Sequence, residues 1–381
     1  MYLLEHDAKA LLAANGIAVP QGSLFELNQA FDEASLPEGP WIVKGQIAAG
    51  GRGKAGIVRK AATALEARQL TGEILGRTVL EKRVESVRIE QQITDAEEAY
   101  IGLLIDAAAA GVRVIVSETG GMDIETMPHE RIRSETVAPQ REAMLECIDR
   151  LTAGMALHKV SALRTAGAQL IALFMDTEAV LIEINPLFVR RDGSWVAGDA
   201  KIVTDDNALE RQPALREMLG RRAAAYPEVA LKLDHGFDYV VVDPDGEIGL
   251  LTTGAGLSMM LIDELRAAGL KPFNFLDIRT GGLRGETTRL IKVLQWLGEA
   301  PRVRVVLINV FAGITDLGEF SKLLVSAIAE APALKVPVVA RLVGNRLPAA
   351  REVLAQAGIA LHTDLDAALA DVRSHLDGAR A

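Results

Sequence analysis

Residues 180–201 read VLIEINPLFVRRDGSWVAGDAK: an apolar run, a charged turn and a second, shorter apolar run. The turn RRDGSW, with Asp192-Gly193 inside it, folds the two runs back on each other as an antiparallel hairpin. Glu183 and Asn185 interrupt the first run, and Asp199 falls near the end of the second. Residues two apart in a strand share a face, so Glu183 and Asn185 project together. Asp199, returning across the turn, is placed beside Asn185. A carboxylate and an amide oxygen meeting in this way are hard donors that suit Mg2+, which takes its other ligands from water and phosphate. A hydrogen-bonded polar pair on an exposed sheet face accounts for the same pattern, and both readings stay open. Pro186 favours an edge strand or a bulge over a fully central strand.

Upstream lies a second hairpin. WIVKGQI (41–47) enters AAGGRGKAGIVRK, a glycine-rich segment flanked on both sides by strand-like residues. Gly50, Gly51 and Gly53 allow close backbone approach, and Lys44, Arg52 and Lys54 add positive charge, so the hairpin can lie over phosphates. The segment matches neither of the common helix-linked glycine loops for phosphate, and a flexible surface hairpin is the alternative. Glu90 and Glu98 are placed to accept from ribose hydroxyls or an adenine amino group, though solvated acids have the same look. Extended pieces near 77–81, 87–93, 99–106 and 112–117, with two helices between about 140 and 174, complete an α+β module with antiparallel sheet over residues 1–228.

From residue 229 the rhythm changes. Runs such as IGLLTT (248–253), FNFLDI (273–278), VRVVLINVF (303–311) and VPVVARLV (336–343) alternate with amphipathic helices. Near-continuous β-branched strands between helices predict an α/β domain over residues 229–381, with a doubly wound parallel sheet covered on both faces. Ligands of such sheets bind at the loops leaving the strand carboxyl ends. Here those loops are TTGAGLS, DIRTGGLRGE, NVFAGITD and RLVGNR. Three are glycine-rich and lead into helix N-termini that favour phosphate or carboxylate.

A chain of 381 residues with a formal charge of −10 fits two or three soluble domains and offers no generic surface for nucleic acid or anionic membrane. No 18 apolar residues run together, so no membrane span is expected. Cys147 is the sole cysteine; it reads as core filler in a helix and fits a reducing, cytoplasmic location. The six histidines lack any zinc or triad spacing, so any phosphohistidine is expected to come from another chain.

Together the segments YLLEHDAKALLAANGIAVP, WIVKGQIAAGGRGKAG, IEINPL, GDAK, DDNALERQP, GAGLSM, FNFLDI and LINVFAGI resemble the beta subunit of the succinate–CoA ligases, in order and spacing from residue 2 to about 378. The resemblance implies an N-terminal ATP-grasp domain followed by a flavodoxin-like domain. It implies Mg2+ and ATP as cofactors, with GTP possible. It also implies an alpha-subunit partner that carries the phosphohistidine and most of the CoA site, in a heterodimer or heterotetramer. By motif, Lys44, Gly51, Arg52 and Gly53 would hold phosphates, and Glu90, Ile93 and Glu98 would line the nucleotide pocket. Asn185 and Asp199 would ligate Mg2+, and Glu183 would steady the partner's histidine. Thr253, Arg279, Gly313, Ile314 and Thr315 fall in the loops that would contact a small carboxylic acid. Three departures stand out there: Thr253 where the family has Asn, DIRTGG where it has a run of glycines, and FAGITDLGEF where it has FGGIVRCD. A lost amide and a new guanidinium change which carboxylate oxygens can be satisfied, so ligation of malate or another acid is an alternative to succinate. A non-catalytic scaffolding or regulatory partner of an alpha-like subunit is the alternative outside enzymology, and the retention of Lys44, Asn185 and Asp199 argues against it.

Overall fold

A computed structural model of the protein describes residues 1–80, 82–121, 131–278, 285–313 and 315–378. Strand-turn-strand sequences build a first unit over Met1–Ala225, and alternating strands and helices build a second over Tyr226–Ala381.

The first unit opens with α1 (Glu5–Ala14), followed by β1 (Gly22–Glu26), β2 (Trp41–Gln46), β3 (Val58–Ala61), α2 (Ala64–Ile74), β4 (Thr78–Val79), β5 (Lys82–Arg83) and β6 (Ser86–Gln91). Strands β1, β6, β2 and β3 lie in that order in one antiparallel sheet. Helix α2 starts at Thr63, whose side chain accepts from Glu66 N while Glu66 reaches back, a capping box. Its Ala67 and Ile74 pack on Val43, Val87 and Ile89 of the sheet. The chain then runs through β7 (Glu97–Asp106), β8 (Gly111–Ser117), β9 (Arg133–Val137), α3 (Arg141–Thr152), α4 (Leu157–Asp176), β10 (Ala179–Val189), β11 (Trp195–Ala197), β12 (Lys201–Thr204) and α5 (Pro213–Arg221). These strands form a second sheet, ordered β11-β10-β7-β8-β9, with β12 also paired to β10. The glycine-rich segment joins β2 to β3 as a hairpin, in the place read from the sequence.

Strand β10 departs from the expectation of an edge. It is interior, with β7 on one side and β11 and β12 on the other. The missing N–H of Pro186 is accommodated by a register shift between Ile184 and Leu187, which lifts Asn185 and Pro186 out of the ladder with β7. The bulge half of the sequence expectation holds. Asp199 likewise lies not in a strand but in the bend between β11 and β12.

The second unit contains α6 (Pro227–His235), β13 (Asp238–Val241), β14 (Ile248–Thr252), α7 (Ala255–Ala267), β15 (Asn274–Asp277), α8 (Thr288–Glu299), β16 (Val305–Ala312), α9 (Leu317–Ala329), β17 (Val338–Gly344), α10 (Leu347–Gln356), β18 (Leu361–His362) and α11 (Leu365–Gly378). A parallel sheet runs β14-β16-β17-β18. Period-two alternation explains why it is covered on both faces. Val305 and Leu307 join α7 and α11 in one core, while Val306, Ile308 and Val310 join α8, α9 and α10 in the other. Strands β13 and β15 pair antiparallel with each other rather than extending the parallel ladder. Asn274 ties β15 to β14 instead: its buried amide accepts from Leu250 N at 2.8 Å and donates to Leu250 O at 2.9 Å, substituting for a backbone pair. Among the described residues, no helix is long and apolar enough to cross a membrane.

Candidate functional site

The two sheets of the first unit enclose a cavity of about 700 Å3, within the range of roughly 300–1,000 Å3 seen for small-ligand clefts. All ten site residues expected in this unit line it: Lys44, Gly51, Arg52, Gly53, Glu90, Ile93, Glu98, Glu183, Asn185 and Asp199. Strand β2 delivers Lys44, the loop after it Arg52, β6 Glu90, β7 Glu98 and β10 Glu183 and Asn185. Gly51 has φ of +74°, a region that disfavours any other residue, and a Cβ added at Gly50, Gly51 or Gly53 would meet nothing within 4 Å. The loop is therefore open above its backbone, with room for a ligand to approach.

Beneath the cavity lies a buried charge network. Lys44 Nζ donates to Glu5 Oε1 at 2.8 Å and Gly198 O at 2.9 Å and sits 2.7 Å from Glu90 Oε1. Arg52 donates to Glu5 Oε2 at 2.6 Å and, through one nitrogen, to both oxygens of Asp199 at 2.7 and 2.8 Å. Lys9 Nζ donates to Gly198 O at 2.8 Å and approaches Glu5 and Glu90 at 2.7 Å. Arg88 Nε closes on Glu90 Oε2 at 2.7 Å. Burial works to raise the Glu5 and Glu90 carboxyls, but the surrounding cations overcome it and hold both below the ordinary range. Burial opposes the charge on Lys44 too, yet Glu5 and Glu90 raise its ammonium above the usual value. Burial pushes Asp199 upward against the pull of Arg52. Tyr2, on the cavity wall, is pushed up to about 12, mainly by burial. Such a network costs much desolvation and is weak evidence for stability; it fixes charges in place.

Glu90 thus differs from an open acceptor, because its oxygens face Lys9, Lys44 and Arg88. Glu98 packs against Gly121, where an added Cβ would fall 2.0 Å from Glu98 Oε2. Gly121 N donates to Asn185 Oδ1 at 2.8 Å. Glu183 lies 3.9 Å from Lys201, whose ammonium sits 5.6 Å from the Tyr2 ring centroid. The donors fit a hard cation: an amide oxygen and a carboxylate face one cavity, with Arg52 now holding the carboxylate that a metal would take.

Glu5, Lys9 and Arg88 were not singled out from the sequence. Glu5 and Lys9, spaced i,i+4, look like a solvated surface pair. The signal that could have marked them is the acidic-basic pair on α1 beside Leu4, Ala8 and Leu12, all buried.

In the second unit, Thr253 follows β14 and Gly313 and Thr315 follow β16, so all three lie at the carboxyl edge of the parallel sheet. Gly254 N donates to Asp277 Oδ1 at 2.8 Å, and Asp316 caps α9 by accepting from Gly318 and Glu319 N. Arg279 and Ile314 lie outside the described residues, as do the residues of SETGGMDIETMP beyond Gly121.

A family model described as an ATP-grasp domain matches residues 2–189, and one described as CoA-ligase matches residues 251–374. The succinate–CoA ligase (ADP-forming) subunit beta of Desulfurococcus amylolyticus is 33% identical over 378 residues, spanning 97% of this chain and 97% of that one. Its namesake from Thioalkalivibrio sulfidiphilus is 35% identical over 394 residues, spanning 100% and 98%. ATP citrate lyase from Methanothrix soehngenii, solved with citrate and coenzyme A, shares the fold with a TM-score of 0.69 at 20% identity, over 95% of each chain.

Proposed function

The chain belongs to the family of succinate–CoA ligase (ADP-forming) beta subunits, and from that premise we propose that its first unit phosphorylates a histidine of an alpha subunit with ATP. The convergence of Lys44, Arg52, the open glycine loop, Glu183, Asn185 and Asp199 on one cavity carries this reading. Lys44 and Arg52 present buried positive charge to the phosphates, in surroundings where water screens it little. The glycine loop lets backbone N–H groups approach the same oxygens. Asn185 and Asp199 would hold Mg2+, which when bound neutralises phosphate charge. Asp199 would then part from Arg52, whose guanidinium would be free to pair with phosphate. Glu183, at the cavity wall, accepts a hydrogen bond from the incoming imidazole and holds its reacting nitrogen toward phosphorus.

The rest of the cycle follows from chemistry. The histidine nitrogen attacks the terminal phosphorus and ADP leaves. A carboxylate oxygen then attacks the phosphohistidine, giving an acyl phosphate and restoring the histidine. CoA thiolate attacks the acyl carbon and phosphate departs. This route spares thiolate an attack on an unactivated carboxylate. The relatives' names favour succinate as the acid over malate, with ATP as the nucleotide. Thr253, Gly313 and Thr315, with Arg279 and Ile314, are assigned to the acid by motif. CoA is assigned mainly to the alpha subunit, in one alpha–beta pair or two.

The test is CoA-thioester formation by the chain co-expressed with its alpha subunit, across a panel of carboxylic acids. Succinate is expected to be turned over with ATP consumed in equal amount. A pair that consumes ATP with no acid of the panel, or forms thioester only with malate, overturns the respective part of the reading.

A further inference from the structure

Lys9 is 1% exposed and lies on α1, one helical turn after Glu5. It is not part of the cavity wall, whereas Glu5, Lys44, Arg52 and Glu90 are. Its ammonium nevertheless takes the same three acceptors as that of Lys44: Glu5, Glu90 and the Gly198 carbonyl. Two buried ammonium groups crowd one set of acceptors. Were the network there only to neutralise its acids, Lys44, Arg52 and Arg88 would already match Glu5, Glu90 and Asp199, three against three. Lys9 is the fourth cation of this set: burial opposes its charge while Glu5 and Glu90 support it, and, charged, it leaves the seven groups net positive by one.

We propose that Lys9 is a positioning residue of the phosphate site: by sharing Glu5 and Glu90 it leaves the charge of Lys44 and Arg52 available to an anion in the cavity. Lys9 also grips the carbonyl of Gly198, the residue before Asp199, and so fixes the bend that presents that carboxylate. Without Lys9 the two acids draw Lys44 and Arg52 down into the network, which becomes neutral. The buried setting leaves this rebalancing poorly screened. The inference rests on the reading of the cavity as a nucleotide site.

The experiment is equilibrium dialysis of the co-expressed complex with labelled ATP and, separately, labelled adenosine, in Mg2+. Lys9→Met is expected to weaken ATP about 10-fold or more and adenosine less than about 2-fold, because only the phosphates sense the charge. Lys9→Arg keeps the cation and is expected to retain most of the ATP affinity that Lys9→Met loses. Equal loss of ATP and adenosine in Lys9→Met would reduce Lys9 to a structural role and overturn the proposal, as would unchanged ATP binding. Should Lys9→Met not fold, Lys9→Gln decides: a loss of ATP binding well beyond that of adenosine supports the proposal, and equal losses or unchanged ATP binding overturn it. Failure of the wild-type complex to bind ATP would instead sink the nucleotide reading itself.

Discussion

Arg52 is the residue on which the account turns, since it joins Glu5 to Asp199 at the place proposed for both phosphate and metal. Asp199→Asn is expected to cut Mg2+-dependent phosphoryl transfer about 100-fold or more while circular dichroism stays unchanged; transfer at the wild-type rate would contradict the metal role. His6 offers a test by pH. Burial, with Arg88 as a second cause, holds its imidazole down to about 4 from an ordinary 6.5. A depressed histidine favours folding fully above pH 6.5, and this contribution is lost as pH falls toward 4, because the unfolded chain takes the proton first. The loss amounts to about 3 kcal/mol at most. Denaturant titrations between pH 7 and 4 should show it, and His6→Asn should flatten that slope; equal slopes would contradict the assignment. At this scale the sequence was legible where residue type was unusual for its place, as with Glu183 and Asn185 in an apolar strand. Glu5 and Lys9 were not legible, because a buried i,i+4 pair and a solvated one are spelled alike.

Among elements, the interior position of β10 shows what a local pattern can and cannot say. Pro186 announces a break in the ladder, and the register shift supplies it, but only the pairing of β7, β11 and β12 makes the strand interior. The apolar runs of β13 and β15 likewise predict strands without giving their direction; Val240–Phe275 pairing is antiparallel and sets them apart from the parallel sheet. The Asn274 amide that links β15 to β14 was equally hidden, since a lone Asn in FNFLDI has no periodic signature. Its removal leaves Leu250 N–H and C=O buried without that partner. Asn274→Ala is expected to destabilise the protein by about 2–4 kcal/mol, measured by urea unfolding; a loss below about 0.5 kcal/mol would show that the link is not structural.

For the whole molecule, the change of rhythm near residue 229 made two kinds of unit legible, antiparallel then parallel, because hairpin turns and helical crossovers have different spacing. The acid selectivity is less legible, since the residues proposed for it are a few donors in loops. Thr253→Asn, which restores an amide at the sheet's carboxyl edge, is expected to shift kcat/KM between succinate and malate by about 10-fold in the co-expressed complex; an unchanged ratio would remove Thr253 from the selectivity argument. The central claim is narrower: this chain hands the terminal phosphate of ATP to a histidine on its partner. The most direct measurement is incubation of the complex with γ-labelled ATP, without acid or CoA, followed by separation of the subunits. The account predicts Mg2+-dependent, acid-labile label on the alpha subunit in wild type and nearly none with Asp199→Asn. A complex that binds ATP yet leaves the alpha subunit unlabelled would contradict it.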